Sequence, residues 1–169
     1  FKRGQKILPP KNCPECGSKI VKAKDEAVLR CENIMNCEAQ ILGRLKHFVS
    51  KKSLNIDGFG EKQVMQFWKL GFIKNYTDIF ILNKYRTKII QLEGWGEISY
   101  NNLLKAIEKS KKVEFSKFIY SLGIRFVGET ISMLLAKEFI RTKIFVDSIN
   151  NKEKLLNING LGPKVIDSI

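Results

Sequence analysis

Four cysteines are the residues whose types and spacing point most directly to chemistry. Cys13 and Cys16 are separated by two residues, Cys31 follows after fourteen more, and Cys37 after another five. Two close cysteine pairs, the first on a Cys-Pro-X-Cys-Gly turn, suit a tetrahedral zinc site with four thiolate ligands. Four ligands leave no open coordination position, so the spacing predicts a structural zinc rather than a catalytic one.

Other uses of these cysteines fit the sequence less well. A disulfide framework is disfavoured because nothing points to secretion. Redox chemistry of Cys13 and Cys16 lacks a βαβ context, and an iron–sulfur cluster favours a closer cysteine grouping. Between the pairs, residues 20–21 and 27–29 alternate enough for a small β-hairpin. A domain of roughly 25 residues buries too little core to fold alone, so we expect zinc to hold it folded.

A second pattern, a pair of glycines one residue apart, recurs along the rest of the chain. The pairs are Gly58/Gly60, Gly94/Gly96 and Gly160/Gly162, and a weaker copy at residues 124–129 keeps Gly128 but has Phe126 at the first glycine position. The second glycines, at 60, 96, 128 and 162, are 36, 32 and 34 residues apart. A period in this range indicates a repeated supersecondary unit.

Apolar residues at helical spacing lie on both sides of each glycine pair. After Gly60, for example, Val64, Phe67 and Trp68 share one helical face. The repeat therefore predicts a helix, a tight hairpin and a second helix that starts at the second glycine. The upstream runs expected to form the first helices are Leu45/Phe48/Val49, Ile79/Ile81/Leu82, Phe115/Phe118/Ile119/Leu122 and Ile144/Phe145/Ile149.

Each hairpin is a candidate anion site. Glycine accepts a positive φ, and a helix that begins beside it offers unpaired N–H groups and the positive end of its dipole. Lys62 and Lys164, two residues after the second glycine, add positive charge, whereas Ile98 and Thr130 replace them in the second and third copies. The alternative is that the glycines only turn the chain between packed helices. A dinucleotide fold is excluded because no strand pattern precedes the first pair.

The overall composition favours a polyanionic partner. The 169 residues carry 30 Lys and Arg against 17 Asp and Glu, a net charge of +13 spread along the chain. Nucleic acid therefore fits better than an anionic membrane. No apolar run has membrane-spanning length and no signal-peptide core is present, so we expect a cytoplasmic protein. The first residue is not Met, and we expect residues 1–12 to be a linker or the tail of a preceding domain.

Two residue types that often carry chemistry receive plainer interpretations. His47, the only histidine, is interpreted as a helix-surface residue rather than a metal ligand or a base. Trp68 and Trp95 stand at helical or hairpin spacing and are expected to pack in the core rather than to stack on bases.

The motifs, taken in order, resemble the bacterial NAD-dependent DNA ligases. The resemblance rests on the cysteine spacing, Leu-Lys-His-Phe-Val-Ser (45–50), Ile-Asp-Gly-Phe-Gly-Glu-Lys (56–62), the run at 120–129 and Gly-Leu-Gly-Pro-Lys (160–164). It implies a mainly α fold with a small four-cysteine zinc finger at residues 13–38. A tandem helix-hairpin-helix domain with four motifs would follow at residues 39–169, truncated at its carboxyl end.

The resemblance also implies a function. The family seals nicks during replication and repair through an adenylated lysine in a Lys-X-Asp-Gly motif, with NAD as AMP donor and magnesium assisting. Here Asn55-Ile56 precedes Asp57-Gly58, so no catalytic residue is expected and the isolated chain should be inactive. It should bind nicked double-stranded DNA as a monomer, through backbone contacts mainly along the minor groove. The residues expected to bind DNA are Gly58, Gly60, Lys62, Gly94, Gly96, Gly123, Gly128, Gly160, Gly162 and Lys164.

Three other functions share some of these features. A non-catalytic helix-hairpin-helix subunit of a repair or recombination complex would carry the same hairpins. A helix-hairpin-helix glycosylase would need a catalytic pair that the sequence does not offer. A zinc-ribbon RNA-binding module would leave four hairpins without a purpose.

Overall fold

The computed structural model describes residues 4, 8–22 and 26–169. The chain divides into two compact units, one ending at Gly43 and the other spanning Arg44–Ile169, and the boundary falls within helix α1 (Glu38–Val49). Of the linker expected at residues 1–12, residues 1–3 and 5–7 lie outside the described part of the chain, as do residues 23–25 between the two predicted strands.

The first unit contains a two-stranded antiparallel sheet. Strand β1 (Ile20–Lys22) pairs with strand β2 (Leu29–Cys31), and Ile20 stands opposite Cys31. The small hairpin expected from the alternating residues is therefore confirmed, although its second strand begins two residues later than Ala27. This pairing brings Cys31 back towards the turn that carries the first two cysteines.

The second unit is helical. A helix begins directly after Gly60, Gly96, Gly128 and Gly162, as the sequence predicts. After α1, the helices are α2 (Glu61–Lys69), α3 (Tyr76–Ile79), α4 (Arg86–Ile89), α5 (Glu97–Ser110), α6 (Phe115–Ser121), α7 (Glu129–Phe139), α8 (Thr142–Ile149), α9 (Lys152–Leu156) and α10 (Pro163–Ile166), with a 3₁₀ turn at Leu82–Tyr85. Among the described residues, none of these helices combines the length and the hydropathy needed to cross a bilayer.

The predicted first helices are correct for the first and third hairpins, which α1 and α6 precede. They are wrong for the second and fourth hairpins, where the helix adjoining the turn is α4 rather than the run at 79–82, and α9 rather than α8. An asparagine cap explains the interruption before the fourth hairpin, where the Asn151 side chain accepts from the Lys154 N–H at the start of α9. Before the second hairpin, Asn75 caps α3 instead, and α4 begins without a side-chain cap.

Aromatic packing joins the first two hairpins. Phe67 of α2 is completely buried, and its ring lies 5.3 Å from Phe59 in the first hairpin and 5.1 Å from Trp95 in the second. The Trp95 indole N–H also donates to the Gln66 side-chain oxygen at 3.1 Å. Trp95 is therefore a packing residue, as expected, and the first and second turns lie side by side.

The third and fourth hairpins share a separate group of buried side chains. Its fully buried members include Ile119 of α6, Leu135 of α7 and Leu155 of α9. Val127, inside the third hairpin turn, and Ile158, immediately before the fourth, complete the contact between the two turns. The four hairpins are thus packed as two pairs within the helical unit.

His47 and Tyr76 connect the first pair to the second. The Tyr76 hydroxyl donates to the Leu122 carbonyl at 3.2 Å, and the His47 Nε2 lies 2.8 Å from the Tyr120 carbonyl. Tyr120 belongs to the last turn of α6 and Leu122 is its C-cap, and carbonyls at a helix end lack partners in the helical ladder. His47 is half-buried and holds this helix end, so its interpretation as a helix-surface residue is wrong. Burial raises the pKa of the Tyr76 phenol.

Candidate metal centre and nucleic-acid interface

The four cysteine sulfurs converge on one point. All four Sγ atoms lie within 4.8 Å of one another, with Cys13 to Cys37 at 4.0 Å and Cys16 to Cys31 at 3.5 Å. Zinc–sulfur bonds of about 2.3 Å in a tetrahedron separate the sulfurs by roughly 3.8 Å. The two measured separations bracket this value, so the four cysteines are arranged to bind a metal ion.

Local backbone bonds place each pair. The Cys13 N–H donates to the Ser18 carbonyl at 2.8 Å, and the Gly17 N–H donates to the Cys13 carbonyl at 2.9 Å. Gly17 has a φ of +69°, which explains the glycine that follows Cys16. The Cys37 N–H donates to the Asn33 carbonyl at 3.0 Å and α1 begins at the next residue. A zinc knuckle and a helix start therefore fix the two ends of the site.

The surroundings of the Cys16 and Cys31 thiols shift their pKa values in opposite directions. Hydrogen bonds from the Ser18 side chain and backbone lower the pKa of Cys16 to about 6. Burial raises the pKa of Cys31 to about 11. A zinc ion binds thiolates and displaces their protons, so it would bring both sulfurs to the same ionised state.

The four hairpin turns have one backbone conformation. In each, the N–H of the residue between the two glycine positions donates to the carbonyl three residues earlier, at 3.1, 3.0, 3.0 and 3.2 Å for Phe59, Trp95, Val127 and Leu161. The third residue of each turn has a positive φ, at +74°, +77°, +63° and +99° for Gly58, Gly94, Phe126 and Gly160. A type II turn requires this conformation at that position.

The third hairpin therefore keeps the turn without its first glycine. Phe126 adopts the left-handed conformation that favours glycine, and its ring remains 43% exposed. The Arg125 guanidinium lies over that ring at 4.6 Å. The sequence ranks this copy as a weaker version of the repeat, but its backbone follows the other three.

The second glycine of each pair is the N-cap of the following helix. Gly60 and Gly128 have extended conformations, with φ near −82° and −84°, and neither offers a capping side chain. The first bond of α2 runs from the Val64 N–H to the Gly60 carbonyl, so the amides of residues 61–63 precede the hydrogen-bonded ladder. The second hairpin differs, because the Gly96 N–H donates to the Ser99 hydroxyl at 2.9 Å.

Of the remaining residues predicted to bind DNA, two lie beside a hairpin turn and one lies outside it. Lys62 and Lys164 are exposed in the first turns of α2 and α10, beside the first and fourth hairpins. Gly123 has a φ of +64° but ends helix α6, and a side chain there would meet the His47 ring at 3.4 Å. It therefore lies outside the hairpin turn that its sequence position suggested.

Ion pairs next to three of the turns are the feature that the sequence analysis missed. Each helix that follows the first three hairpins begins with a glutamate: Glu61, Glu97 or Glu129. Each carboxylate pairs with a cation from another element: Lys46 at 3.1 Å, Arg86 at 2.6 Å and Lys52 at 3.0 Å, respectively. Lys52 and Glu129 are 77 residues apart, so no local pattern could have revealed their contact.

A cleft of about 560 Å³ opens between the first and second turns. Asp57 and Gly58 line one side, Glu93 and Gly94 line the other, and the amide side chains of Gln63 and Asn102 complete part of its wall. The two turns therefore present one shared concave surface rather than two separate tips.

Comparison with known proteins connects both parts of the chain to one kind of enzyme. Residues 12–39 match the family described as the NAD-dependent DNA ligase C4 zinc finger domain, and residues 117–169 match the helix-hairpin-helix motif. A DNA ligase of Phocaeicola vulgatus is 40% identical over 166 residues, covering 98% of this chain and 24% of the relative. A DNA ligase of Ehrlichia chaffeensis is 41% identical over 172 residues, covering 97% and 25%.

A third relative, a DNA ligase of Wolbachia pipientis, is 42% identical over 164 residues and is matched over 25% of its length. The chain thus spans about a quarter of the length of these relatives. The matched region extends over nearly the whole chain, so it takes in both the cysteine cluster and the hairpins. On these grounds, the chain is similar over nearly its whole length to one region of these DNA ligases, and its cysteine cluster matches the zinc finger of the NAD-dependent ones.

Proposed function

We propose that this chain is the part of an NAD-dependent DNA ligase that grips nicked duplex DNA without regard to base sequence. The observation that carries the proposal is the common conformation of the four turns, which is kept even where Phe126 replaces a glycine. A repeated turn followed by a helix start provides backbone N–H groups that recognise phosphate geometry. Such contacts position a protein on the duplex but carry no base code.

The pairing of the hairpins supports a clamp. The first and second turns share a cleft, and the third and fourth share a buried cluster. Two turns held side by side could each bind one phosphate, on the two strands that border a groove. A net charge of +13 would attract the duplex and make binding strongly dependent on salt.

The zinc finger has a structural role in this proposal. Cys13, Cys16, Cys31 and Cys37 hold one zinc ion, and no ligand position remains for a substrate. The chemistry of sealing belongs to other parts of the enzyme, where the adenylated lysine, NAD and magnesium act. The isolated chain therefore binds nicks as a monomer and transfers no AMP from NAD.

Binding assays on the zinc-loaded chain test the proposal. Fluorescence anisotropy should give tighter binding to nicked and intact duplexes of unrelated sequences than to single strands, with a bias towards the nick. The logarithm of the association constant should fall by about 0.9 per phosphate contacted for each tenfold rise in salt. A preference for single strands, or binding to one sequence only, would contradict the proposal.

A matched pair of substitutions locates the contact. Gly60 is extended, and an added Cβ would meet only the Gln63 side chain at 3.5 Å, so Gly60→Val should fold. It should weaken binding to every duplex alike, about tenfold, because the side chain obstructs the approach of a phosphate to the helix start. Gly43→Val, which lies in α1 and not in a hairpin turn, is the control and should bind as the unchanged chain does.

A further inference from the structure

We propose that Arg86 and Lys52 are the phosphate-binding cations of the second and third hairpins, in place of the lysine that these two copies lack. The inference rests on the proposed function and extends it to particular side chains. The first and fourth hairpins have Lys62 and Lys164 two residues after the second glycine. The equivalent residues of the other two hairpins are uncharged, and Ile98 is 79% exposed there.

Arg86 provides a cation beside the second turn. Its Nη2 lies 2.6 Å from the Oε1 of Glu97, the residue that directly follows Gly96 and begins α5. The Arg86 side chain remains 52% exposed. A planar guanidinium can bind a phosphate through two parallel hydrogen bonds. A side-chain cation matters most at the second turn, because the Gly96 N–H already donates to the Ser99 hydroxyl rather than to a phosphate.

Lys52 provides a cation beside the third turn. It follows α1 in sequence, yet its Nζ lies 3.0 Å from the Oε1 of Glu129, which directly follows Gly128 and begins α7. The Lys52 side chain is 75% exposed, so a phosphate can reach it. Hydrogen bonding to Glu129 raises the pKa of Lys52, which keeps the ammonium charged.

The first hairpin shows that the arrangement is repeated. Lys46 pairs with Glu61 at 3.1 Å, although this copy also has Lys62. In all three hairpins, a glutamate at the helix start therefore holds a cation from another element next to the turn. Exposed ion pairs of this kind contribute little to folding, so the fold has little need of them.

The glutamates and a phosphate would compete. Both are anions that favour the same cation and the same positive end of a helix dipole. When a phosphate enters, the glutamate must release its partner, so the glutamate opposes binding while it positions the cation. The two members of each pair should therefore have opposite effects on affinity, which a purely structural ion pair would not show.

The test measures affinity of the zinc-loaded chain for a nicked duplex across a salt series. Lys52→Gln and Arg86→Gln should each weaken binding about three- to tenfold at 0.1 M salt and reduce the salt slope by about 0.9. Glu129→Gln and Glu97→Gln should bind as tightly as the unchanged chain or more tightly. Lys111 and Glu108 form another exposed pair at the end of α5, away from the turns, and Lys111→Gln is the control for general charge.

The outcomes distinguish the inference from the function on which it rests. If the unchanged chain binds duplex but Lys52→Gln and Arg86→Gln match Lys111→Gln, the inference is wrong and the proposed function stands. Equal loss of affinity from both members of a pair would show a structural ion pair and would also overturn the inference. Failure of the unchanged chain to bind any duplex would overturn the proposed function, and the inference with it.

Discussion

At the scale of single residues, the four hairpin turns are alike in backbone conformation and differ in residue type. Three turns place glycine at the position of positive φ, and the third places Phe126 there at +63°. The left-handed region costs a residue with a side chain roughly 1–2 kcal/mol. Phe126 offsets part of this cost, because more than half of its surface is covered and Arg125 lies over its ring.

This comparison predicts the effect of adding one methyl group to two glycines. An added Cβ at Gly58 or at Gly43 would meet nothing within 4 Å, so both substitutions are sterically open. Gly58 has a φ of +74°, and Gly58→Ala should lower the free energy of unfolding by about 1–2 kcal/mol. Gly43 lies within α1, and Gly43→Ala should raise it by about 0.5–1 kcal/mol.

Urea unfolding of the whole zinc-loaded chain, followed by circular dichroism, measures both changes. The pair shares one chemical alteration, so a difference in sign isolates the backbone conformation as its cause. Equal effects from the two substitutions would mean that the turn at Gly58 does not depend on positive φ.

Residue-scale features could be predicted when their cause was local. The glycine pairs and the Cys-Pro-X-Cys-Gly turn are short patterns whose chemistry depends on near neighbours, and they were found directly. The conformation of Phe126 was not, because nothing in its own type favours a positive φ. The Lys52 to Glu129 pair was also missed, since it depends on how distant segments pack.

At the scale of elements, the zinc finger and the helices differ in what holds them together. Within the first unit, the only buried residues among those described are Cys13 and Cys37. The second unit buries several large aromatic and aliphatic side chains completely, including Phe59, Phe67 and Leu135. We therefore expect the sheet and knuckle to depend on the metal, whereas the hairpins have cores of their own.

Removal of the metal should unfold the zinc finger and leave the helical unit folded. A strong chelator should release one zinc ion per chain and unfold the segment up to residue 43, because metal binding provides most of its folding free energy. Most of the helical circular dichroism should remain. Metal analysis, together with proteolysis that compares cleavage before and after residue 43, checks both statements.

Substitution of a single ligand provides the control. Cys37→Ser should have the effect of the chelator, whereas Ser18→Ala should retain zinc, since Ser18 contacts the Cys16 sulfur without being part of the cysteine set. If the chelated chain resisted proteolysis throughout, the dependence of this unit on zinc would be refuted.

Helix prediction succeeded where each amphipathic run was uninterrupted. The helices after the second glycines were correct because their apolar faces meet the core directly. The helices before the second and fourth hairpins were wrong because a further short helix adjoins each turn: α9, which Asn151 caps, at the fourth hairpin, and α4, which has no side-chain cap, at the second.

At the scale of the whole molecule, the excess of positive charge is expected to govern how stability and DNA affinity respond to salt. A net charge of +13 destabilises a compact chain through self-repulsion, and salt screens that repulsion. Salt also weakens the exposed ion pairs, but each contributes only about 0–1 kcal/mol. The same screening removes the electrostatic attraction to DNA. Stability and DNA affinity should therefore respond to salt in opposite directions.

Raising sodium chloride from about 50 to about 500 mM should increase the Tm of the helical unit in the zinc-loaded chain by a few degrees, equivalent to about 1 kcal/mol, while duplex affinity falls steeply. Sodium sulfate at matched ionic strength provides a sharper comparison. If the turns bind phosphate-like anions, sulfate should raise the Tm further than chloride does, because it occupies the helix starts. Gly60→Val should reduce that additional increase. A Tm that fell with salt would show that the ion pairs outweigh the self-repulsion of the chain.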